Sequence, residues 1–412
     1  MTGHTTCVGR WFSSTKSQMR FSHNAGPKRL FAQLLFSVSL VLATCTSTLA
    51  QDWRTVHDGM EYAEVTRTID NQPVRMNLLR LDLKKVRLDV VHAMDAAIGT
   101  ETVSSMATRH GAIAAINAGF FRLDNSIWAG DPAGVLKING QVLSESVNDR
   151  IALGIFNDRP ATKVVIDHLR SRVALAYNDI SKTLDGVNRE PKSQEIILFT
   201  PGMKTPMGVS DHYELVLSSC SNFCKSSEIR MTLGGNLVGE NSFIVFFGPK
   251  SDKEYLVTYF SQPATLRSKY PNFIFSVDER PGFGLDKKFH KADDITNGVP
   301  QLIKDGKIKI TWQEEKTTKS FVETRHPRTA VAKLKDGKFL MITVDGRSES
   351  SGGISLNDLA AYLLELGATD AMNLDGGGST TMFLDGKVVN HPSDKEGERK
   401  VSDAILVTLR KK

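Results

Sequence analysis

The stretch that most limits how this chain can fold runs from Phe339 to Leu374, where an apolar run, an amphipathic run and a second apolar run follow one another. Phe339 to Val344 is continuous enough for a buried strand and ends on Asp345-Gly346-Arg347. Ser355 and Asp358 make an S-x-x-D helix start. Leu356, Leu359, Ala360, Leu363 and Leu366 then fall on one helical face, and Gly367 is placed to end the helix. Ala371 to Leu374 is a second short buried strand. A strand–helix–strand crossover is as a rule parallel and right-handed, which puts Asp345 and Asp375 at the same C-terminal edge of one sheet. If the two strands are neighbours, their backbones lie ~4.8 Å apart and the two carboxylates share a cleft.

The second strand runs into Asn373-Leu374-Asp375-Gly376-Gly377-Gly378-Ser379. Asp-Gly is a common hairpin turn, and Asn139-Gly140, Asp305-Gly306, Asp336-Gly337 and Asp385-Gly386, each between apolar runs, are expected to be plain hairpins. Asp375 differs because two more glycines follow, which a two-residue turn does not need and which lose ~0.5–1 kcal/mol each relative to Ala on folding. Three residues without a Cβ let a ligand approach backbone N–H groups, so the run is a candidate anion-binding turn.

Upstream, Val74 to Leu78 and Val86 to Val90 alternate as strands, and Thr102 to His110 reads as a helix stopped by Gly111. Ala112 to Ile116 is a buried strand that delivers Asn117 to a loop, the position in which open sheets bind ligands. Short strands continue at Ile151 to Phe156, Val164 to Ile166, Glu195 to Phe199, Tyr213 to Leu217, Phe243 to Phe247 and Tyr255 to Tyr259. The fold class expected is α+β, with mixed, strand-rich sheets, a few packed helices and one large catalytic domain.

Residues 1 to 50 hold five Lys/Arg and no acidic residue, with a basic pair at Lys28-Arg29, an apolar core from Leu30 to Ala43 and small residues up to Ala50. This is the pattern of a secretory signal cleaved after Ala50, with Met19 as an alternative start and lipid attachment at Cys45 as a weaker alternative. The apolar core is shorter than the ~20 residues that span a bilayer, so no integral segment is expected after cleavage. Removing the segment takes five of the six net positive charges, leaving about +1 and no general basicity to attract nucleic acid. Two cysteines then remain, Cys220 and Cys224, spaced for a local disulfide loop in an exported protein, with free thiols as the alternative.

Arg325-His326-Pro327-Arg328-Thr329-Ala330, Asp345-Gly346-Arg347, the Asn373 to Ser379 turn, Asn390 with Pro392-Ser393-Asp394, and Arg399-Lys400-Val401-Ser402 together resemble the phosphodiester glycosidase family. Asn117 to Phe121 and Asn297 to Ile303 match in the same order, so the resemblance covers roughly residues 95 to 408. The chain departs from the family pattern at Ala118, Val299 and Ala332, where the family often has Gly, and none of these removes a polar group. Residues 51 to 94 form an N-terminal strand region, and the middle, about 160 to 290, matches only in its strand-rich texture.

The resemblance implies hydrolysis of a sugar-1-phosphodiester in a phosphate-linked glycan or glycolipid of the cell envelope, by a secreted, periplasmic enzyme. It implies no cofactor, although Asp375, Asp345 and Asn373 are oxygen groups that a divalent cation could use. For that chemistry the expected catalytic residues are Asp375 first and Asp345 second, with Arg328 on the phosphate. Substrate binding would fall to Asn117, Arg347, Asn373, Gly376, Gly377, Gly378 and Ser379. His326 and His391 are candidate proton carriers, Phe120, Phe121 and Trp128 candidate sugar-stacking groups, and Ser379 is expected to act as a hydrogen-bonding group rather than a nucleophile. The rival readings are a non-catalytic module that binds anionic polysaccharide and a phosphodiesterase that cleaves P–O.

Overall fold

The computed structural model describes residues 51–157, 160–177, 180–203, 212–218, 228–261, 272–278 and 288–410. The expected signal segment and both Cys220 and Cys224 lie outside these residues. The described chain is strand-rich, with several sheets and short helices, the longest of them Leu356–Glu365.

An eight-stranded sheet runs in the order 54–57, 60–69, 72–81, 339–344, 328–334, 368–373, 301–304, 307–308. The strands Phe339–Val344 and Ala368–Asn373 do point the same way, but they are not neighbours. Arg328–Leu334 lies between them and pairs antiparallel with both, Arg328 opposite Val344 and Ala330 opposite Asn373. The expected adjacency is therefore corrected: the two strand ends sit about 10 Å apart, twice the spacing of paired strands. The inserted strand begins where its neighbours end, so Arg328 joins Asp345 and Asp375 at one edge of the sheet.

Successive side chains alternate sides, and in the central strands 328–334, 339–344 and 368–373 both faces are buried. Ala330, Ala332 and Ile342 meet Leu356, Leu359 and Leu363 of the helix Leu356–Glu365. The helix is capped as its sequence requires, Ser355 accepting from the Asp358 N–H, and Gly367 follows it at φ +85°. Val331, Met341 and Met372 face the other way, onto Ile116, Ile405 and Val407 of a five-stranded sheet ordered 387–388, 382–384, 114–117, 403–409, 86–92. Each buried Leu or Ile in these layers contributes about 1.5–3 kcal/mol of transfer free energy, which is what holds the layers in register.

A second five-stranded sheet, 163–168, 151–156, 294–297, 136–138, 141–144, adds Leu136, Ile151 and Leu153 to the same core. The middle of the chain builds its own five-stranded sheet, 186–187, 196–199, 243–247, 213–218, 228–233, over a separate apolar cluster that includes Leu198, Leu215 and Phe247. Here Tyr255 to Tyr259 departs from the expected strand and lies in the helix Glu254–Phe260. Its aromatic and β-branched residues favour a strand, but Leu256 and Phe260 are the ones buried, four apart, and that helical spacing decides.

Of the four expected hairpins, Asn139-Gly140, Asp305-Gly306 and Asp385-Gly386 have positive φ at both residues, the signature of a two-residue turn. At Asp336-Gly337 only Gly337 does, within the longer connection from Leu334 to Lys338. Asp375-Gly376 is unlike any of these: Gly376 is extended at φ −135°, and the left-handed residue is Gly377 at φ +61°.

Candidate active site

Asp375 leaves the sheet edge as the strand Ala368–Asn373 ends and is anchored by its backbone, its N–H donating to the Ala118 carbonyl at 3.0 Å. One carboxylate oxygen accepts from the Gly376 N–H at 2.9 Å. Burial raises the Asp375 pKa from 3.8 to about 6, reinforced by the Asp403 charge and opposed by the Ser379 hydroxyl, the Gly376 N–H and Arg399. A carboxyl in that range exchanges protons near neutral pH, as a base at such a site must.

The glycines serve close approach more than an open nest. Gly376 N–H is held by Asp375 and Gly377 N–H by the Pro327 carbonyl at 2.9 Å, so of the three amides only Gly378 has no acceptor among the described residues. A Cβ at Gly377 would lie 2.9 Å from Arg347 Nη2. One at Gly378 would overlap the Arg399 guanidinium and Asp394 Oδ1. Two guanidiniums thus lie against the turn, which explains why consecutive residues there lack side chains.

Arg328 is almost wholly buried, and its guanidinium is directed at backbone carbonyls: Nε to Ile354 at 3.3 Å, Nη2 to Phe321 at 2.7 Å and to Thr324 at 2.8 Å. Its charge also lies 4.9 Å from the Phe321 ring centre. Burial, then Arg347, lowers its pKa to about 10, so it remains a cation at neutral pH. The same two arginines, after burial, lower the pKa of His326, whose Nδ1 is buried without a partner. Neither Arg328 nor Arg347 has a carboxylate partner among the described residues, whereas Arg399 is paired with Asp394 at 2.7 and 3.0 Å. This wall of the site carries uncompensated positive charge.

Asp345 occupies the expected edge but turns inward. It is 2% exposed, and its carboxylate accepts from the Asn390 amide and the His391 N–H and faces the His391 ring. Asn117, fully buried, is a cross-link between sheets: Nδ2 donates to the Asp375 carbonyl at 2.7 Å, while Oδ1 accepts from the Thr329 hydroxyl at 2.8 Å and the Thr381 N–H at 3.1 Å. Asn373 donates to the Val299 and Leu374 carbonyls, leaving its buried Oδ1 unpaired. Ser379 is buried with an unpaired hydroxyl beside Asp375.

Arg399, Asp394 and Asp403 were not among the expected site residues. Arg399 and Asp394 belong to the motifs quoted above, but nothing in their spacing places them against a glycine far away in sequence. Asp403 is buried under the loop that follows Asn117, accepting from the Gly119 N–H and the Thr296 and Ser402 hydroxyls. Of the aromatics, Phe120 packs edge-on against Phe321 at 6.2 Å, Trp128 lies 6.3 Å from Phe199, and Phe121 joins the core beside Val103 and Phe383. Among the described residues no group of three or more His, Cys, Asp or Glu is placed to hold a metal ion, and no helix is long and apolar enough to cross a membrane.

Residues 246–408 match the family model for phosphodiester glycosidases. The chain is 28% identical over 184 residues to human N-acetylglucosamine-1-phosphodiester alpha-N-acetylglucosaminidase, covering 42% of this chain and 31% of that protein. It is 37% identical over 109 residues to the Bos taurus protein of the same name, covering 24% and 20%. Against the SPbeta prophage-derived uncharacterized protein YomE of Bacillus subtilis it is 38% identical over 107 residues, covering 26% and 16%. The chain therefore spans at most 31% of the length of these relatives. In fold it is similar to a hypothetical protein from Synechocystis, with a TM-score of 0.68, 20% identity and coverage of 87% of this chain and 64% of that one. A Burkholderia pseudomallei protein gives 0.64, 21%, 82% and 74%.

Proposed function

We propose that this chain, which carries the phosphodiester glycosidase domain, is an exported hydrolase that cleaves a sugar-1-phosphodiester between C1 and the glycosidic oxygen. The products are the free sugar and a phosphomonoester. The observation that carries the reading is Asp375, a carboxyl raised to about 6 on a turn against which Arg347 and Arg399 lie. A phosphodiester is an anion, and Arg347 with the buried charge of Arg328 supplies the field that attracts it, while the Gly378 N–H is free to donate. As the C1–O bond breaks, positive charge develops on the sugar ring, and the Asp375 carboxylate stabilises it and accepts the proton of the attacking water. Asn117, through the Asp375 carbonyl, and the Gly376 N–H, through a carboxylate oxygen, set the position of that carboxylate.

The substrate class is a phosphate-linked glycan or glycolipid of the cell envelope, and the basic, apolar and small-residue pattern before Gln51 supports export, with the periplasm as destination. The catalytic domain is taken as residues 95 to 412, with selectivity in the strand-rich middle. Turnover of sugar-1-phosphodiesters in oxygen-18 water tests the reading. Label in the released sugar supports it; label in the phosphate assigns a P–O phosphodiesterase instead, and no turnover across a broad panel assigns a binding module.

A further inference from the structure

The Asp345 carboxylate and the His391 ring form a pair that the reaction above leaves unused. All three side-chain hydrogen bonds of Asp345 go to one short segment: Oδ1 accepts from Asn390 Nδ2 at 3.3 Å and from the His391 backbone N–H at 3.0 Å, and Oδ2 faces His391 Nδ1 at 3.2 Å. The two members differ sharply in exposure, the His391 side chain at 65% and that of Asp345 at 3%. With Nδ1–H directed at a buried carboxylate, the tautomer is fixed and Nε2 is left outward. The segment does not need the ring to hold its place. Asn390 already pins it, accepting from the Met382 N–H at 2.7 Å and donating to the Thr380 carbonyl at 3.0 Å.

The loop that carries the ring also reaches the charged wall of the site. Two residues after His391, Ser393 Oγ lies 3.5 Å from Arg347 Nη1, the guanidinium that rests against Gly377. The next residue, Asp394, pairs with Arg399 against Gly378. The charged groups around the imidazole are thus Asp345 behind it, Arg347 on the neighbouring connection and the Asp394–Arg399 pair on its own loop. A departing phosphate drawn to Arg347 comes to this side of the turn.

We propose that His391 is the proton donor to the departing phosphate and that Asp345 is its positioning residue, an assignment that rests on the glycosidase reading. The imidazolium gives the Nε2 proton to the oxygen that leaves C1 with the bonding electron pair. Water bonds to C1 and gives its proton to the Asp375 carboxylate, and a proton passes from Asp375 through solvent to restore His391. The sum is one water consumed, one free sugar and one phosphomonoester. Proton transfer is well matched because a phosphomonoester has its second pKa near ~6, and imidazole is the side chain that exchanges protons nearest neutral pH.

The test compares the mature protein with His391→Gln and Asp345→Asn on a sugar-1-phosphodiester, with dimethyl phosphate as the binding probe. Expected for His391→Gln is a loss of about 100-fold or more in kcat with KM within a few fold and an unchanged melting temperature. Asp345→Asn falls between the two proteins in kcat, and the ring nitrogen signals of His391 in wild type shift when dimethyl phosphate is added. A His391→Gln kcat within about threefold of wild type, or ring signals that dimethyl phosphate leaves unmoved, overturns the assignment while leaving the glycosidase reading intact. A wild-type protein without turnover removes the glycosidase reading and the assignment with it.

Discussion

In the proposed reaction the single carboxyl of Asp375 bears on both stability and rate, and the two depend on pH in opposite senses. Its folded pKa is raised, so its contribution to stability is fully present below about pH 4 and is lost as the pH rises through about 6. The ionised form that the reaction needs is the form that costs folding energy. Asp375→Asn keeps an oxygen for the Gly376 N–H and removes the buried charge. It should abolish turnover while leaving the folding stability at pH 7.5 equal to or above that of wild type, by up to roughly 3 kcal/mol, with the gain closing towards pH 4. Thermal melts across pH 4 to 8 check this, and a variant less stable than wild type at pH 7.5 would show that the carboxylate holds the turn together. The arginines divide differently. Arg328 is committed to three carbonyls, and a Lys cannot reproduce a planar fork, so Arg328→Lys should lower stability by about 1–3 kcal/mol along with activity. Arg347 is exposed, and Arg347→Ala should raise KM at least ~10-fold with a stability change within ~0.5 kcal/mol, as steady-state kinetics and denaturant melts would show.

The elements show what could be read in advance and what could not. The helix Leu356–Glu365, its Ser355 cap and its leucine face follow from local spacing and stand as expected. Leu359→Ala should therefore cost 2–5 kcal/mol in urea unfolding, within the usual range for a deleted core leucine. That Asp375-Gly376 is no hairpin was also legible, because the neighbouring Asp-Gly and Asn-Gly pairs lacked its extra glycines. The pairing order was legible only in part. The Asp336-Gly337 turn announces that Arg328–Leu334 pairs with Phe339–Val344, but no local pattern announces that its other edge takes Ala368–Asn373, which keeps the two strands of the crossover apart. By sequence the glycines make room for a ligand, yet what stands against two of them is Arg347 and Arg399, which arrive on other connections of the chain. Gly378→Ala separates the two roles: a Cβ there overlaps the paired side-chain ends of Arg399 and Asp394, which must shift, so activity should fall with only a small loss of stability.

For the whole molecule, the family match and the folded layers do not coincide. The matched span, 246–408, includes the strands Phe339–Val344 and Met382–Leu384, yet their partners Gln72–Leu81 and Ala114–Asn117 come from far earlier in the chain. Asp403–Leu409 likewise pairs with Val86–His92 and Ala114–Asn117. Expressed alone, the matched span would leave long apolar strand edges bare and should be insoluble. Asn117 carries this dependence into the site, since a side chain from one half of the polypeptide holds the carbonyl of Asp375 from the other. In the proposed reaction, catalytic competence is then a property of two interlocked halves. A chain nicked in its strand-rich middle should keep working while the pieces stay together, and two separately made fragments should regain activity only on mixing, so that the reaction itself reports their complementation.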